Sequence, residues 1–92
     1  MSSKSTYVSI WDALEDDPIR VRNLKLRSAL LIEISEQIRT QKLTQAKAAE
    51  MLCINQPRVS ALLQGKIEQF RLDSLIDMAH RLGLQVSIEV AA

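Results

Sequence analysis

Ninety-two residues, 47% apolar and 25% charged, with a net charge of +1, describe one ordinary globular domain whose core is small enough to profit from a second subunit. Apolar runs such as Ala29 to Ile32 are far too short for a bilayer, and neither a signal peptide nor a membrane anchor is expected. The lone Cys53 forms no internal disulfide and fits a reducing cytoplasm, and no phosphate loop, paired carboxylates or metal-ligand spacing argues for an enzyme, a cofactor or a metal.

Residues 1–17 differ in kind from the rest and read as a flexible arm. Met1 to Thr6 is rich in Ser and Thr and is expected to be disordered, whereas Tyr7, Val8, Ile10, Trp11 and Leu14 are interleaved with Asp12, Glu15, Asp16 and Asp17. An acidic segment with apolar anchors suits folding onto a basic protein surface; alternatively, Trp11 simply covers the first helix.

Asp16 or Asp17 followed by Pro18 marks a helix start, and Leu24, Leu31, Ile34 and Ile38, joined by Leu30, draw the stripe of one long helix ending near Thr40. Next, Leu43 to Gly65 reads as two short helices joined by a tight turn. Thr44 caps the first, which runs on Ala46, Ala48, Ala49, Met51 and Leu52 to a break at Cys53-Ile54-Asn55. Asn55 caps the second, Pro57 falls in its first turn where a missing N–H costs nothing, and Gly65 supplies a left-handed end. Ala49, Val59 and Leu62 sit where such helices cross. Spacing places Val59, Leu62 and Leu63 on one face and leaves Gln56, Arg58, Ser60, Ala61 and Gln64 for solvent or a ligand. That outer face lacks acid, as a helix inserted in the major groove requires, since Arg reads guanine and Gln reads adenine there.

If the break at Cys53 needs a left-handed backbone, a residue other than Gly costs about 1 kcal/mol there. A redox role for this cysteine lacks an activating His or a second Cys, so a small buried hydrophobe is the better reading. Beyond Gly65, Lys66 to Gln69 is a short connection or brief helical turn, with Ile67 and Phe70 as plugs into the core. The last helix, near Leu72 to Leu82, places Leu72, Leu75, Ile76, Ala79 and Leu82 inward and stops at Gly83. Met51 and Met78 are core candidates, and His80 near this helix's C-terminus suits capping or surface exposure. Leu84, Val86, Ile88 and Val90 then alternate with polar residues, a period of two that predicts a strand. No other segment pairs with it convincingly, so the simplest partner is the same strand of a second subunit across a two-fold axis, the weaker alternative being an extended tail packed on its own domain.

Divided along the chain, residues 1–35 carry five basic and five acidic side chains, 36–71 six and three, and 72–92 one and three. Positive charge is therefore concentrated on the paired helices. Arg39, Lys42, Lys47, Arg58, Lys66 and Arg71 are candidates to meet phosphates, although any one of them reads equally as solvated surface.

Leu43-Thr44-Gln45 through Ala49, Gln56-Pro57-Arg58-Val59-Ser60 and Leu63-x-Gly65-Lys66 together resemble the Cro/CI (XRE) family of bacterial and phage regulators. Phe70-x-Leu72-Asp73-x-Leu75 and Leu82-Gly83-Leu84-x-Val86-x-Ile88 are similar to HigA-type antitoxins of toxin-antitoxin operons. The resemblance covers roughly residues 20 to 90. It implies an all-α, five-helix lambda-repressor-like bundle over residues 18–83, followed by a dimerisation strand in residues 84–92. It also implies base contacts from Gln56, Arg58, Ser60 and Ala61 and a phosphate contact from Gln45, which joins Lys42, Thr44, Lys47, Gln64 and Lys66 in the expected phosphate-contacting set. The expected protein is a homodimeric, cytoplasmic repressor of a palindromic operator in double-stranded DNA, with the arm holding a small ribonuclease toxin. Two positions depart from the family pattern, which usually has Gly at Cys53 and a polar residue at Pro57. A regulator without a toxin, and a helical protein-interaction module without DNA affinity, are the competing readings.

Overall fold

The computed structural model describes residues 17–92, so the expectations for Tyr7, Val8, Ile10, Trp11 and Leu14 lie outside the described residues. Four α-helices and one short turn follow in order: α1 (Pro18–Thr40), α2 (Gln45–Leu52), α3 (Gln56–Leu63), a 3-10 turn (Ile67–Gln69) and α4 (Leu72–Arg81). A fifth α-helix is absent from the described residues because Gly65 and the extended Phe70 leave only four residues between them, of which Ile67–Gln69 form the turn.

Each of the first three helices starts where an oxygen side chain can take up a free backbone N–H. Asp17 accepts from Ile19 N at 3.0 Å, Thr44 Oγ1 from Lys47 N at 3.1 Å, and Asn55 Oδ1 from Arg58 N at 2.9 Å. All four helices end in the same way, on a left-handed residue whose neighbour turns back to the helix. Leu43 donates to Ile38 O, Ile54 to Ala49 O, Lys66 to Ala61 O and Leu84 to Ala79 O, each at 3.0 to 3.1 Å. These are Schellman ends, and they relieve carbonyls that would otherwise lack partners. Gly65 and Gly83 occupy the left-handed position in two of them; Lys42 (φ 56°) and Cys53 (φ 58°) hold it in the other two, at a steric cost glycine avoids. Cys53 is exposed, not the buried hydrophobe its sequence suggested, because the αL turn points it outward, where Arg81 Nη1 donates to its Sγ at 3.3 Å.

The core lies between α1 and the other helices. Val21, Leu24, Leu31, Ile34 and Ile38 line the inner stripe of α1, and Ile34, Val59, Leu62, Phe70 and Leu75 are its fully buried large side chains. Ala49 is buried at the α2–α3 crossing, and Ile67 and Phe70 plug the bundle as their positions suggested. Met78 is buried, whereas Leu72 and Ile76 are only half-buried and face an open groove. Gln41 Nε2 donates to Leu82 O at 3.0 Å, tying the end of α1 to the end of α4.

No strand forms among the described residues. Leu84 and Val86 pack on the core with Gln85 and Ser87 outward, so the alternation is visible there, but Ile88 and Val90 are 80% and 88% exposed. A ladder needs a second strand, and the described part of this chain supplies none.

Candidate nucleic-acid interface

The paired helices α2 and α3 build the candidate site. Small residues at the crossing let the two backbones pack, and the αL turn at Cys53 redirects the chain so that α3 sits beside α2 with its own cap intact. No Asp or Glu occurs in α3, and its N-terminal residues Gln56 and Pro57 are exposed.

The rotation of α3 differs from the face its spacing suggested. Ala61 is 8% exposed and belongs to the core, so it is not available to a base, while Leu63 is 39% exposed and belongs to the outer surface. The reason is that α3 packs against both α1 and α2. Two neighbours bury an arc running from Val59 through Leu62 to Ala61, and at 3.6 residues per turn Leu63 is carried out of it. The uncovered sector is centred on Ser60 and carries Gln56, Pro57, Leu63 and Gln64. Gln64 Nε2 donates to Ser60 Oγ at 3.1 Å, so these two side chains form one outward-facing polar unit one turn from Gln56. Leu63 and Pro57 were not singled out as surface contacts; only the packing on two sides reveals them.

Arg58 leaves the helix about 160° around from Ser60. It is half-buried, its guanidinium carbon lies 4.6 Å from the centroid of the Phe70 ring, and its Nη1 donates to Gln69 O at 3.3 Å. The side chain thus bridges α3 to the 3-10 turn.

The expected phosphate contacts are distributed around the entry to α2 and the exit from α3. Lys42, Thr44, Gln45, Lys47, Gln64 and Lys66 are all exposed. The amides opening α2 direct their partial positive charge outward beside Thr44 and Gln45, an arrangement suited to an anion. Lys47 shares its charge with Glu50 at 3.6 Å, and Arg39 pairs with Glu36 at 2.6 Å, whereas Lys42 and Lys66 form no ion pair among the described residues. Lys42 lies between the end of α1 and the start of α2, and Lys66 just beyond the end of α3.

A capped pair of short helices at a steep turn, with an acid-free outer helix and cations at its margins, defines a helix-turn-helix of the DNA-binding class. The family of helix-turn-helix domains matches residues 13–91, nearly the whole chain, and the protein belongs to that family. No curated protein matches the sequence. Among the described residues no helix is long and apolar enough to cross a membrane.

Proposed function

We propose that this chain is a sequence-specific transcriptional repressor that works in the cytoplasm as a homodimer, binds a palindromic operator, and serves as the antitoxin of a toxin-antitoxin operon. The observation that carries the DNA-binding part is α3 itself, an acid-free helix whose uncovered sector offers Gln56, Ser60 and Gln64 to a base edge. Thr44, Gln45, Lys42 and Lys66 meet phosphates and set the helix in the groove, with Lys47 adding what charge Glu50 leaves it.

The tail supports the dimer. Leu26, Ala29 and Leu30 of α1, Leu72 and Ile76 of α4, and the tail residues Val86, Ile88 and Val90 line an apolar groove of about 590 Å³, and Leu26 is itself 59% exposed. Antiparallel pairing of two tails about Ser87 sets Val86 opposite Ile88, Leu84 opposite Val90 and Gln85 opposite Glu89. Every apolar residue then faces an apolar one, and no like charges meet. A two-fold arrangement of this kind presents two copies of α3 to half-sites on one side of the duplex.

The antitoxin part rests on the resemblance in residues 43–66, 70–75 and 82–88 and on the arm, whose apolar anchors Tyr7, Val8, Ile10, Trp11 and Leu14 among acidic residues suit the basic face of a ribonuclease toxin. Deleting residues 1–17 is expected to abolish capture of such a co-expressed toxin and to leave DNA binding intact.

Fluorescence anisotropy on the duplex upstream of the coding region, against a scrambled duplex, tests the central claim. Tight binding that survives moderate salt only on the native duplex is the expected result. Equal, salt-labile binding to both would replace it with a protein-interaction module, the second reading, which the exposed Leu63 on the outer sector favours.

A further inference from the structure

We infer that α3 reads A·T base pairs, with Leu63 touching thymine methyl groups, and that Arg58 is withheld from the bases as a positioning residue that fixes the angle of the reading helix. This inference rests on the DNA-binding reading above. Whatever groove edge meets α3 meets the residues that α1 and α2 leave uncovered. These are Gln56, Pro57, Ser60, Leu63 and Gln64, a sector with no charge of either sign. Amide side chains match the paired donor and acceptor on adenine, and an exposed aliphatic side chain has one specific partner in the major groove, the C5-methyl of thymine. Guanine is best read by a guanidinium or ammonium fork, and the only one on α3 is turned away. Arg58 lies over Phe70 at 4.6 Å and donates to Gln69 O at 3.3 Å, so its plane is packed and part of its donor set is spent.

The clamp has a mechanical consequence. Phe70 is fully buried and follows the 3-10 turn that connects α3 to α4. An arginine that stacks on its ring and bonds the carbonyl before it joins the C-terminal connection to the first turn of α3, fixing the helix from the side opposite the groove. Lysine does not substitute for it, having no plane to stack.

Selection of a binding site from a random-sequence duplex pool tests the assignment, using the full chain, Leu63→Ser, Arg58→Ala and Arg58→Lys. The wild type is expected to select half-sites dominated by A·T pairs, and replacing a selected thymine by uracil is expected to weaken it about four-fold, the worth of one methyl-sized group. Leu63→Ser is expected to lose that sensitivity to uracil. Arg58→Ala and Arg58→Lys are expected to select the same sequence as the wild type but to bind it more weakly, and both lower Tm, Arg58→Ala by about 4–8 °C through the lost stacking. Half-sites dominated by guanine, an unaltered response to uracil, or a changed selection by Arg58→Ala at unchanged Tm would each overturn the inference. A wild type that selects no sequence at all would instead remove the DNA-binding reading on which it rests.

Discussion

The helix-turn-helix and the C-terminal tail treat their surfaces in opposite ways. In the first, side-chain caps open α2 and α3, Schellman bonds close them, and Val59 and Leu62 are fully buried within one chain. In the second, beyond Val86, the side chains of Ile88 and Val90 stand in solvent beside an apolar groove. One region buries its apolar residues within its own chain and leaves a mostly polar outer sector exposed; the other leaves apolar residues in solvent. Under the proposed function, the contrast follows from the two tasks: a helix that reads DNA gains from being rigid beforehand, whereas a surface that associates is completed by what it meets.

The largest expected effect lies in the self-sufficient half. Leu62→Ala leaves a cavity where two helices and α1 converge and should cost about 2–5 kcal/mol in urea unfolding, while Ile88→Ala should change the stability of the isolated monomer by less than about 0.5 kcal/mol. Equal losses at the two sites would erase the contrast. Association is the next arm. In a Cys53→Ser background, Ser87→Cys should form a disulfide-linked dimer on mild oxidation and Gln85→Cys should not, because the proposed register brings only position 87 opposite itself. Cross-linking at 85 and not at 87, read on a non-reducing gel, would mean another register. Ile88→Asp should shift sedimentation equilibrium toward monomer without unfolding the chain.

Smaller effects sharpen the account of how the helices end. Gly65→Ala forces a Cβ into a left-handed backbone at φ 76° and should cost about 1 kcal/mol, although the space around it is open. Cys53→Gly relieves the same strain and gives up an arginine contact and unfolded-state restriction, for a net gain below about 1 kcal/mol. A clear drop in Tm for Cys53→Gly would show that the Arg81 contact outweighs the strain.

Much of the helix-turn-helix was legible because its signals are local. Asp17-Pro18, Thr44, Asn55-Gln56-Pro57, Gly65 and Gly83 each act through backbone groups within four residues, so cap chemistry alone places the starts of α1, α2 and α3 and the ends of α3 and α4 where they are found. The same locality exposed the odd cysteine at the turn. Lys42 gave no such signal, since lysine in a left-handed position has no compositional mark and is held there by the bonds of Lys42 N to Arg39 O and Leu43 N to Ile38 O.

The candidate site divides along the same line. Residue order was enough to single out the helix suited to a groove, its acid-free outer residues, the cations around it and the strand-like periodicity of the tail. Tertiary structure alone decided the rotation of α3, burying Ala61 and turning Leu63 outward, because an eight-residue helix flanked by two neighbours takes its inner arc from both and its own periodicity fits either choice. It also decided the place of Arg58, whose ring and carbonyl partners stand twelve and eleven residues ahead and become neighbours only when the 3-10 turn folds Phe70 into the core.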